Sequence, residues 1–210
     1  VALVEAYRIP IVTTLVADSA EDAAEKAAPF LAEGHAIVVR VFSRDIRHAS
    51  DVGGVILDLR TKDSVIEAAR TVMDRARSAR PDAILRGVTI QPMIVRRAAR
   101  ELILGIADDP TFGPVIVFGR GGPAVEVIND KALALPPLDM NLARELVGRT
   151  RVSRLLGGYG DIPAVPADVV PLTLVKLAQM AADIPEVAGL DINPMLADET
   201  GVLALDARVA

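Results

Sequence analysis

Two short apolar segments near the end of the chain carry side chains with hard oxygen atoms: Leu190-Asp191-Ile192-Asn193-Pro194 and Leu205-Asp206-Ala207-Arg208. Each reads as a strand that turns its polar residues toward a common point. The Asn193 amide oxygen and the Asp206 carboxylate on neighbouring strands suit Mg²⁺. That ion takes oxygen ligands in near-octahedral geometry and draws only one or two from protein, leaving the rest to phosphate and water. The pair alone is a weak signal. Two further stretches strengthen it and point to an ATP-using site.

The first is Phe118-Gly119-Arg120-Gly121-Gly122, read as joining two strands. Gly119, Gly121 and Gly122 would let backbone N–H groups approach an anion and permit positive φ, forming a phosphate concavity. No Lys-Ser/Thr follows, so this is not a Walker A loop; the alternative is an ordinary glycine-rich hairpin turn. The second runs from Arg44 to Gly54, a polar loop holding His48, one of two histidines. His48 suits a nucleophile toward phosphorus or a pH-sensitive contact, and equally a solvated loop residue. Gln91-Pro92-Met93 ends a strand where a purine ring would be gripped by backbone and apolar groups, or where a methionine simply enters the core. Glu101 and Glu126 flank the glycines, to orient a phosphate-bound metal or to face solvent. Asp108-Asp109-Pro110 reads as turn chemistry first and as a site second.

These residues need a scaffold. The chain has 210 residues, 51% of them apolar, which allows one large domain or two small lobes. A net charge of −5 with 3% aromatics lacks the basic, stacking surface of a nucleic-acid binder. Absent cysteine excludes disulfides and thiolate metal sites and fits a cytosolic setting. No apolar run reaches the roughly 20 residues that cross a bilayer. The chain opens on Val1 within a helix-like run to Tyr7, as expected of a segment of a longer polypeptide.

Ser19 is the expected N-cap of an Ala-rich helix that Gly34 closes. A strand follows over Ala36–Phe42, another over Val52–Leu59, and then a helix capped by Asp63 or Ser64 that Pro81 ends. Strands are predicted at Val88–Ile94, Glu101–Ala107, Pro114–Phe118 and Ala124–Ile128, and helices at Met140–Gly148, Arg151–Leu156 and Ala167–Ala182. The order is α+β in two lobes, 1–86 and 87–210, with a seam near Arg86–Gln91.

Taken together, the segments resemble the ATP-grasp domain of the NDP-forming acyl-CoA synthetases, relatives of the succinyl-CoA synthetase β subunit. The likeness rests on Asp45 to Val55, Gln91 to Met93, Asp109 to Pro114, Phe118 to Gly122, Leu190 to Pro194 and Asp206 to Arg208, and covers nearly the whole chain. It implies an ATP-grasp fold with ATP or ADP between two α+β lobes and Mg²⁺ on Asn193 and Asp206. It sets Gln91, Pro92 and Met93 beside adenine, and adds Glu101, Gly119, Gly121, Gly122 and Arg208 to the nucleotide set. Asp191 then faces a phosphohistidine brought by a partner CoA-binding domain, and His48 relays the phosphoryl group as acyl-CoA, phosphate and a nucleoside diphosphate become acid, CoA and a nucleoside triphosphate, or the reverse. A narrower likeness, Ala134 to Arg144, is to bacterial proteins that fuse this module to a GNAT lysine acetyltransferase.

Two positions depart from that pattern. Arg40 stands where a lysine would touch the nucleotide phosphates, and Ala49 where a lysine follows the loop histidine. A guanidinium fork does not replace a compact ammonium, and a lost charge-assisted phosphate contact costs about 1.5–3 kcal/mol, roughly ten- to hundred-fold in binding. Three readings result: a working synthetase domain; a degenerate nucleotide- or acyl-CoA-sensing copy within an acetyltransferase; and, behind both, an ATP-grasp ligase forming a peptide-like bond through an acyl phosphate.

Overall fold

The computed structural model describes residues 2–46, 48–122 and 125–209, and of Glu126 only the backbone. Contacts gather the chain into two compact units, Thr13–Val95 on the one hand and Val1–Val12 with Arg96–Ala210 on the other. The expected boundary at 86/87 falls inside the strand Leu85–Pro92, which pairs with Ile37–Ser43 on both sides of that point.

The opening helix α1 (Ala2–Ala6) belongs to the second unit. The Thr13–Val95 unit holds β1 (Leu15–Ala17), α2 (Ala20–Ala32), β2 (Ile37–Ser43), a 3-10 turn at Ala49–Val52, β3 (Val55–Leu59), α3 (Lys62–Ala79) and β4 (Leu85–Pro92). Its strands form an antiparallel sheet in the order β1-β4-β2-β3. Strand side chains alternate between faces, so Ile37, Val39 and Val41 of β2 enter the core while Val38 and Arg40 take the opposite face. Helix α3 offers the matching stripe, Val65, Ala68, Ala69, Val72 and Ala76, at helical spacing. Its alanines, with Ala23, Ala24 and Ala27 of α2, let both helices lie close to the sheet. Ile37 and Ile90 are fully buried, each contributing about 1.5–3 kcal/mol.

Caps fix where these helices begin. Ser19 Oγ accepts from the Asp22 N–H at 3.0 Å, as the sequence predicts. The cap of α3 is Thr61 rather than Asp63 or Ser64: Thr61 Oγ1 accepts from the Ser64 N–H at 3.1 Å and Ser64 Oγ from the Thr61 N–H at 3.2 Å. The expected strand from Val52 begins only at Val55, because the chain first turns through Gly53 at φ +61.

The second unit holds β5 (Arg100–Asp109), β6 (Gly113–Arg120), α4 (Val125–Ile128), β7 (Lys131–Ala134), α5 (Met140–Gly148), α6 (Ser153–Leu156), α7 (Val169–Asp183), β8 (Leu190–Asp198), β9 (Gly201–Ala204) and β10 (Ala207–Val209). The sheet order is β10-β8-β5-β6-β7, with β9 also on β8. Helices α5 and α7 pack on it, over Leu102, Leu104, Ile106, Phe118 and Ile192. Alternation leaves Glu101, Ile103, Asp191 and Asn193 on the other face. Where a strand is expected over Ala124–Ile128, Val125–Ile128 is a helical turn and Ala124 lies outside the described residues. The glycine segment thus joins a strand to a helix. Strand β7 is an element the apolar pattern does not announce, being four residues long and half exposed. No helix among the described residues is long and apolar enough to cross a membrane.

Candidate functional site

Asn193 lies within β8, and Asp206 just before β10, the strand that pairs with β8. Pairing of β8 runs from Asp198↔Gly201 through Met195↔Ala204, then from Ile192↔Ala207 through Leu190↔Val209. The Leu205 N–H donates to the Pro194 carbonyl at 3.0 Å in between. Arg208 is thus opposite Asp191; carried across Leu205 and Asp206, which link β9 to β10 outside either strand, the same register brings Asp206 to the position opposite Asn193. Residues directly opposed share a face, with Cβ atoms roughly 4.5–5.5 Å apart. Opposite β5 the ladder shifts between Leu102 and Leu104, so that Asn193 and Pro194, joined by a cis peptide bond, together face Ile103. Such a bulge re-aims a side chain out of the regular pleat.

The glycine corner closes on the same residue. The Gly121 N–H donates to the Glu101 carbonyl at 2.8 Å, and the Gly122 N–H to Asn193 Oδ1 at 3.2 Å. A Cβ on Gly121 would lie 2.5 Å from the Leu102 carbonyl and 3.0 Å from Asn193 Oδ1. Gly122 sits at φ +89, and a Cβ there would strike Glu101 Oε2. Gly119 lies within the β5–β6–β7 ladder, opposite Ile103 and Lys131. The loop amides at Gly121 and Gly122 therefore face protein acceptors, not an open anion cradle. Arg208 turns back to Asp206, Nη2 3.2 Å from Oδ2. Asp191 is exposed. The side chain of Glu126, the other expected acid, lies outside the described residues.

In the Thr13–Val95 unit, Arg40 is opposite Thr89 and Val38 opposite Gln91, so Arg40 and Gln91 share the face turned away from α2 and α3. Gln91 is buried and its Nε2 donates to Thr14 Oγ1 at 2.7 Å. Pro92 is opposite Ile37, and the Met93 N–H donates to the Ala36 carbonyl at 2.7 Å. His48 is exposed between two buried anchors, Ile46 and Ala49, in a loop that Asp45 ties down by accepting the Ile84 N–H at 2.7 Å. Arg47 lies outside the described residues. Asp109 behaves as a turn residue, its Oδ1 accepting from the Thr111 and Phe112 N–H groups at 2.8 and 3.0 Å.

A family model described as an ATP-grasp domain matches residues 1–210. The chain belongs to the ATP-grasp family. It is 33% identical over 207 residues to the beta subunit of acetate–CoA ligase [ADP-forming] I of Pyrococcus furiosus, covering 99% of this chain and 87% of that one. It is also 33% identical to acetate–CoA ligase [ADP-forming] I of Archaeoglobus fulgidus, but spans only 29% of that longer chain and 99% of its own. Among solved structures it resembles dinucleotide forming acetyl-coenzyme A synthetase 1 of Ca. Korarchaeum cryptofilum, in complex with coenzyme A, Ca-AMPCP and HgCl⁺. The TM-score is 0.90 at 29% identity, over 99% of this chain and 89% of that chain. These relatives are acid–CoA ligases and lend no support to an acetyltransferase fusion.

For an ATP-grasp domain, the donor set on the β8–β10 face fits magnesium. It offers one amide oxygen and one carboxylate, both hard, and no three His, Cys, Asp or Glu side chains converge among the described residues. A metal held there would take its remaining ligands from phosphate and water. Two contacts that shape these positions escape sequence reasoning, Gly122 to Asn193 and Gln91 to Thr14. Their partners lie 71 and 77 residues apart, beyond any local pattern.

Proposed function

We propose that this ATP-grasp domain binds ADP or ATP with Mg²⁺ and serves phosphoryl transfer in an ADP-forming acid–CoA ligase. In that reaction acyl-CoA, phosphate and ADP interconvert with free acid, CoA and ATP. The observation behind the proposal is the common register of β9 and β10 along β8, which supports Asp206 opposite Asn193. The solved relative that carries coenzyme A with Ca-AMPCP supports the ligand class.

In this reading Asn193 and Asp206 hold the cation, which supplies charge neutralisation to the phosphates when bound. Asp191, one pleat from Asn193, faces the phosphohistidine of a partner CoA-binding domain. His48, displayed by its anchored loop, accepts the phosphoryl group on an imidazole nitrogen. Arg40 meets the phosphates, and Gln91 to Met93 lie beside the adenine. Gln91 already has its amide oriented by Thr14. Calorimetry of ADP with and without Mg²⁺ tests the binding half. Asn193→Ala and Asp206→Ala are each expected to weaken the magnesium-dependent affinity about ten-fold or more, and no uptake by the wild type discards the proposal. Label from γ-labelled ATP, lost in His48→Asn when the CoA-binding domain is supplied, tests the relay.

One observation favours a second reading, a domain that binds nucleotide without rapid turnover. Ala49, next to His48, is 5% exposed and packs into the core, so that position displays no cation beside the histidine. Unlabelled protein in the same experiment would select this reading.

A further inference from the structure

Building on the magnesium assignment above, we infer that the glycine pair acts on the metal ligand rather than on phosphate. Gly121 and Gly122, with Glu101, form a buttress that fixes the Asn193 amide so that its oxygen is the atom offered to a divalent cation.

Four features carry this. An N–H can be satisfied only by an acceptor, so the Gly122 N–H, 3.2 Å from the Asn193 side chain, requires the amide oxygen and not the nitrogen on its side. A carbonyl oxygen has two lone pairs, and the Gly122 bond uses one of them. The Gly121 position admits no Cβ, since the Leu102 carbonyl and Asn193 Oδ1 already fill that space. Gly122 adopts φ +89, and Glu101 Oε2 occupies the place its Cβ would need. The loop is held against β5 by the Gly121 N–H on the Glu101 carbonyl. Gly121 is thus explained by close packing against Leu102 and Asn193, and Gly122 by its positive φ. An anion seeking their amides would have to break two bonds first. Partners that orient a metal ligand commonly change metal affinity about 10- to 100-fold when they are altered. Glu101, Gly121 and Gly122 are accordingly positioning residues.

The test separates metal from phosphate. ADP affinity of the chain is measured by calorimetry across a Mg²⁺ titration and in its absence, for wild type and Gly122→Ala. The buttress predicts that Gly122→Ala raises the Mg²⁺ concentration needed for half of the effect by about 10- to 100-fold, with metal-free ADP affinity unchanged. Equal loss of metal-free ADP binding, or an unshifted Mg²⁺ requirement, overturns the inference. A wild type without any magnesium response overturns the assignment it builds on. Amide exchange provides a ligand-free arm in a milder variant. Asn193→Ala should make the Gly122 amide exchange about five- to ten-fold faster, and an unchanged rate overturns the inference.

Discussion

Arg208 closes on Asp206: Nε and Nη2 of its guanidinium stand 3.3 and 3.2 Å from the same carboxylate oxygen two residues earlier. That oxygen belongs to a group assigned to the cation, so a guanidinium and a metal compete for it. An ion pair this accessible is worth about 0–1 kcal/mol. Arg208→Ala is therefore expected to lower the Mg²⁺ concentration needed for tight ADP binding by up to roughly five-fold. A rise in that concentration in calorimetry would show that Arg208 assists the cation instead.

Arg40 shares the face of Gln91 and Thr89 and stands where the family resemblance calls for lysine. Arg40→Lys is expected to tighten ADP binding roughly ten-fold by restoring a compact ammonium to the phosphates. Unchanged affinity in the same assay removes Arg40 from the phosphate set.

Acid should weaken the Thr13–Val95 unit through the start of α2. The Asp22 carboxyl lies below its ordinary value because Lys26 and the Asp18 N–H bond to it, and Glu21 is lowered by its own backbone N–H and by Arg70. A carboxylate with a lowered folded value stabilises above the ordinary range of about 3.9–4.3 and loses that contribution as pH falls through the folded value. Denaturant midpoints should therefore drop below about pH 4, and Asp22→Asn should flatten that limb. Tyr7 gives the opposite limb. Its hydroxyl donates to Asp183 at 2.8 Å, which raises its pKa, so its contribution holds through neutral pH and fades above about pH 10. Tyr7→Phe should remove the alkaline loss.

Stability should be most sensitive where burial is complete. Phe118 has no exposed surface, and Phe118→Ala should cost about 3–5 kcal/mol. Thr61→Ala, which removes half of a capping box, should cost about 1 kcal/mol. Urea unfolding compares the two, and similar losses would contradict this ranking.

Much of this was legible in the sequence. Met140–Gly148 coincides with α5 to the residue, because its apolar spacing and the Asp139 cap are both local. The same holds for Ser19 before α2. What sequence could not supply was the destination of polar groups. Gly121 and Gly122 read as an anion cradle until Glu101 and Asn193 are seen to receive their amides. Val125–Ile128 has the β-branched, alternating character of a strand, yet folds as a helical turn. The Thr61-x-x-Ser64 box that caps α3 is a fainter signature than one closed by Glu or Gln. Strand β4 runs through 86/87, since its pairing with β1 and β2 is decided by residues far along the chain.

Strand β8 is hydrogen-bonded along both edges, to β5 on one side and to β9 and β10 on the other. Asp191 and Asn193 stand two residues apart on it, so the backbone that carries one carries the other. The acid assigned to greet an incoming histidine and the amide assigned to the ion are thereby geared together.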